Sequence, residues 1–119
     1  MAATPSPPQV LAVTTPGVEG YRIARYLGIV AGEAILGTGF GADVLAGVTD
    51  VTRSRVAEWE GEIQRARSTA LSEMSRRAQA WGANAVVGVS VDTEAMGPQG
   101  SILLVTATGT AVVVEPIPR

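Results

Sequence analysis

The chain has 119 residues, a net charge of −2, a mean hydropathy of +0.26 and a hydrophobic content of 46% with aromatics at only 4%. That length supports one domain with one core, built from Val, Ile, Leu and Ala. The nine basic residues are all arginines and there is no histidine or cysteine, which excludes a disulfide framework, a thiolate nucleophile, an imidazole base and a zinc finger, and argues against a nucleic-acid partner.

Residues 1–9 are proline-rich and read as a disordered tail, since no basic segment precedes an uninterrupted apolar stretch as a signal peptide would require. Residues 10–14 are a short strand candidate ended by Pro16 and Gly17. A second strand is expected over residues 21–36, with Ile23, Leu27, Ile29 and Ile35 on one parity and Tyr26 and Val30 on the other. Gly28 and Gly32 leave room on that second parity for a helix or a neighbouring subunit to come close. The glycine-rich run at 37–41 breaks the strand, and residues 42–51 suggest a short helix with Val44, Leu45 and Val48 inward.

A long amphipathic helix follows. Val56, Trp59, Ile63, Ala66, Ala70, Leu71, Met74, Ala78 and Trp81 recur at intervals of three and four, Ser54 is placed to cap its start, and Gly82 is placed to end it in a left-handed conformation. Residues 85–94 and 101–115 are rich in β-branched side chains and are separated by a turn at 95–100, so they form an antiparallel hairpin; residues 116–119 are a short C-terminal tail. Residues 102–114 are apolar but too few to cross a bilayer as a helix, and a soluble cytoplasmic protein with no membrane partner is the expectation.

The expected fold class is α+β: a β-β-α-α-β-β order with four strands in one antiparallel sheet and both helices on one face. Alternation then creates a surplus. Leu103, Val105 and Val113 fall on one face and Ile102, Leu104, Val112 and Val114 on the other, yet the helices cover only one. A second copy of the chain is the economical cover for the remaining face.

Three separated stretches carry a family resemblance: Leu27-Gly-Ile-Val-Ala-Gly-Glu-Ala-Ile-Leu-Gly37, the passage from Ala66 through Trp81-Gly-Ala-Asn-Ala-Val-Val-Gly-Val89, and Thr106-Ala-Thr-Gly-Thr-Ala-Val-Val-Val-Glu115. Over residues 10–115 the chain resembles the YbjQ-like family, labelled "putative heavy-metal-binding". The resemblance implies a small α/β subunit that assembles into a ring-shaped homo-oligomer, a pentamer or two stacked pentamers. Where relatives carry Gly-Gly-Arg before a Tyr-Glu pair, this chain has Thr52-Arg-Ser-Arg55 and then Trp59-Glu60.

The label directs attention to metal ligands. Soft metals want thiolate, thioether or imidazole donors, and beyond the initiator this chain offers only Met74 and Met96. The oxygen candidates are Glu33, within an apolar strand, and Asp92 with Glu94, two residues apart on one strand face; they suit a hard divalent ion such as Mg²⁺, Ca²⁺ or Mn²⁺. A ring would gather several copies of one carboxylate. The structural reading, solvated acids at strand surfaces, is the commoner one.

Residues 37–42 fit G-x-G-x-x-A, but the parallel strand that a dinucleotide site needs after its helix is missing. Arg65 and Arg76 share a helix face and could meet a phosphate, or simply be solvated. Thr106, Thr108 and Thr110 alternate on one strand face and could line a ring's passage. No catalytic residue set is legible. The functional expectation is therefore a non-catalytic, ring-forming binding module or scaffold, with an enzyme whose carboxylate site forms between subunits as the alternative.

Overall fold

The β-branched runs and the apolar stripe read above become four strands and one long helix in a computed structural model that describes residues 9–37 and 53–118. The elements are β1 (Leu11–Ala12), β2 (Tyr21–Leu36), α1 (Arg53–Ala80), β3 (Ala85–Met96) and β4 (Ile102–Pro116), and the sheet order is β1-β3-β4-β2. The helix expected at 42–51, the glycine-rich turn before it and the first eight residues lie outside the described residues.

β4 holds the centre. It pairs antiparallel with β3 from Met96↔Ile102 to Ala85↔Val112, and antiparallel with β2 from Leu36↔Leu103 to Tyr21↔Pro116. The sheet is not antiparallel throughout, however: β1 runs parallel to β3, with Leu11 beside Ala85 and Ala12 beside Val86. Pro16 and Gly17 do not turn β1 back onto β2. Instead residues 13–15 stay on the rim of β3, where Val13 donates to Val86 O at 2.9 Å and Gly88 donates to Thr15 O at 2.8 Å, and the chain then passes to the opposite edge to start β2. The antiparallel sheet expected from the sequence gives way at this edge to a parallel pairing with a partner more than seventy positions away.

Two bulges in β2, between Ile23 and Arg25 and between Tyr26 and Gly28, break its alternation. Ile23 and Leu27 share a parity in sequence, yet Leu27 packs against the helix-side core and Ile23 against the cluster on the other face. β3 has its own irregularity between Val87 and Ser90, where Gly88 takes φ 62°.

α1 lies chiefly over β2 and β4. Its buried stripe is Ala66, Ala70, Met74 and Ala78, spaced by four, and these meet Val30, Val86, Val89, Val105, Ala107 and Ala111 of the sheet. Small residues allow this close packing, and Gly32 shows the limit: a Cβ there would overlap the Ala70 carbonyl oxygen and the Met74 amide nitrogen. Trp81, read from the sequence as part of the stripe, is 49% exposed because the helix has already ended.

The helix stops as Gly82 predicts. Gly82 adopts φ 94° and donates to Gln79 O, while Ala83 donates to Ala78 O, the paired bonds of a Schellman cap. Asn84 then acts as a surrogate strand residue: its Nδ2 donates to Val114 O at 2.9 Å and its Oδ1 accepts from Val114 N at 2.8 Å, which extends the β3–β4 ladder past the end of β3.

A second, smaller core lies on the face away from α1. Ala85, Val87, Val112 and Val114 are covered there by Val13, Val18 and Ile23. The chain thus roofs one end of its second face with its own N-terminal segment. The rest of that face has no such cover among the described residues.

Candidate functional site

The three candidate carboxylates all lie on the part of the second face that the described residues leave uncovered. Val105, Ala107 and Ala111 face α1, so Leu104, Thr106, Thr108 and Thr110 of β4 face the other way. Register places Asp92, Thr106 and Glu33 in one row across β3, β4 and β2, and Glu94, Leu104 and Ile35 in the next. Strand numbering alone gives no hint of this, because the row depends on β4 lying between β3 and β2.

Sharing a face is not convergence. With strands about 4.8 Å apart, Asp92 and Glu33 are separated by about 10 Å of backbone. Glu33 is also engaged: its Oε2 lies 3.4 Å from Arg77 Nη1, while Arg77 Nη2 lies 3.3 Å from Glu73 Oε1. Asp92 and Glu94 are exposed. Among the described residues no three acidic, histidine or cysteine side chains gather closely enough to hold a metal ion.

The donor chemistry of one copy does not fit a heavy metal. Met74 is wholly buried under α1, Met96 is 42% exposed at the hairpin end with no second sulfur near it in sequence, and the chain has no thiol or imidazole. Oxygen donors spread along a strand face suit a hard divalent ion at most, and only with more ligands than one copy brings together.

The remaining candidates fall into ordinary roles or outside view. Arg65 pairs with Glu62 and Arg76 with Glu73, so a phosphate at either would compete with a carboxylate one helical turn away. Two open grooves, about 480 Å³ beside Leu71, Ser72, Ser75 and Arg76 and about 260 Å³ beside Ile35, Glu62, Arg65 and Thr69, run along the flanks of α1, and none of the three carboxylates lines either. The G-x-G-x-x-A segment falls outside the described residues after Gly37. Spacing alone sets Arg77 one helical turn after Glu73, with which it pairs at 3.3 Å, but gives no sign that it also donates to the Ala31 carbonyl at 2.8 Å, a contact visible only once α1 is laid over β2.

Comparison with known proteins bears on this geometry directly. The sequence profile of the YbjQ-like family, described as "Putative heavy-metal-binding", matches residues 10–115. A protein of Carboxydothermus hydrogenoformans named "UPF0145 protein" is 47% identical over 107 residues, covering 90% of this chain and 98% of its own length. The chain belongs to the YbjQ-like family. Among solved structures, a protein of unknown function from Pediococcus pentosaceus, assigned to the DUF74 family, is similar in fold, with a TM-score of 0.60 at 16% identity and coverage of 89% of this chain and 98% of that one. This YbjQ-like chain is thus an α+β protein with a mixed four-stranded sheet and one long helix among its described residues, and none of its described helices is long and apolar enough to cross a membrane.

Proposed function

We propose that this YbjQ-like chain is a non-catalytic subunit of a homo-oligomer, a ring of five copies or two such rings stacked, which serves as a scaffold or as a binding module for a metal ion or small ligand. The observation that supports it is the exposure of Ile29 and Ile35, 80% and 71%, on the sheet face that α1 does not reach. Each fully exposed isoleucine forgoes about 2 kcal/mol of burial, so a flat surface bearing several apolar side chains favours a covering layer. The same chain is the partner most consistently available. The ring itself rests on the family resemblance.

Within such an assembly the metal reading takes a definite form. Asp92 and Glu94, exposed and without an ion pair among the described residues, are the donors to be shared between copies, and Glu33 joins them only by releasing Arg77. The ion is then a hard one, held by oxygen.

Light scattering on the full chain, coupled to size exclusion at micromolar concentration, tests the carrying step. The expected mass is about five or ten times 12.2 kDa; a single particle of 12.2 kDa overturns the proposal.

A further inference from the structure

Extended chains add to one another along strand edges, and β2 is the longest edge of this sheet. Because β2 pairs, among the described residues, only with β4, alternate residues along its outer side direct their N–H and C=O groups away from the sheet. One bond identifies which. The Arg77 guanidinium donates to the Ala31 carbonyl, so Ala31 turns its backbone groups outward, and Ile29, Glu33 and Ile35, an even number of positions away, do the same. This stretch is apolar at both ends and centred on Gly32. In an antiparallel pairing of two copies, Ile29 would lie opposite Ile35 and Ala31 opposite Glu33, so the edge is complementary to itself.

Arg77 sits on the middle of that stretch. It reaches the edge because α1 lies over β2, and three acceptors hold it there: Ala31 O at 2.8 Å, Glu33 Oε2 at 3.4 Å and Glu73 Oε1 at 3.3 Å. Nearer its start the same edge is interrupted by the two bulges, which leave residues 28–36 as its regular segment.

We propose that Arg77 is a plug on the β2 edge. By occupying the Ala31 carbonyl it prevents a second copy of this chain from adding its own β2 alongside, and so keeps the sheet from growing sideways. The device is independent of whether the open face associates, since edge and face are different surfaces of the strand.

The test is the size distribution of the full-length Arg77→Ala protein, followed by light scattering and thioflavin fluorescence, with circular dichroism reporting that it is folded. Growth of larger, β-rich species several-fold beyond the parent is expected. The combination Arg77→Ala with Ala31→Pro removes the outward N–H without touching the β4 ladder and should return the protein to the parent distribution. An Arg77→Ala protein indistinguishable from the parent overturns the proposal. So does one whose larger species persist when Ala31→Pro is added, because that growth would come from unfolding rather than from the edge.

Discussion

On the α1 side of the sheet, the residues of β4 from Val105 to Ala111 that point at the helix are small and buried, and they meet alanines spaced by four along α1. On the other side, the same strands present Leu104, three threonines, Ile29 and Ile35, and among the described residues only the end near Val112 and Val114 is roofed, by Val13 and Val18. Both faces use a β-branched alphabet. They differ in size at the contact: small side chains bring a backbone layer close, whereas larger ones project and await a side-chain partner. Among the described residues, the first face is finished within one chain and the second only at one end.

Three variants separate the faces, in descending order of effect on the folded protomer. Gly32→Val should be the most severe, because its branched Cβ must displace the Ala70–Met74 backbone; a loss of about 3 kcal/mol or more is expected from the shift of the urea midpoint. Asn84→Ala should cost about 2 kcal/mol by the same measurement, since it leaves both Val114 backbone groups without their partners in a half-buried place. The pair Ile29→Ser and Ile35→Ser should change protomer stability by no more than about 0.5 kcal/mol when measured at a dilution where single copies prevail, because both side chains are exposed there. Its effect should appear instead as a lower mass in solution. A pair of serines that destabilised the protomer as much as Gly32→Val would mean that the two faces are not different in kind.

Most of the scaffold was legible from local pattern. β2 runs over Tyr21–Leu36 as its composition predicts, α1 ends at the glycine that was expected to end it, and β3 and β4 form the expected hairpin. What was not legible depends on distance or on a single inserted residue. The parallel pairing of β1 with β3 joins positions more than seventy apart, and no periodicity encodes it. The bulges in β2 send Ile23 and Leu27 to opposite faces although strict alternation puts them together. The candidate site fared likewise: residue type singled out Glu33, Asp92 and Glu94, but that they share one face follows from the register through Thr106, and that Glu33 is engaged follows from the reach of Arg77.

Gly32 has a consequence for how this chain can vary. With main chain resting on main chain at that crossing, the gap between helix and sheet is set by atoms common to every residue and cannot be widened to suit a bulkier neighbour. Ala70, Ala78 and Ala107 are then restricted to one size class, and mutational drift at the interface should be absorbed along the flanks of α1, at positions such as Ser72 and Ser75, which carry no such ceiling.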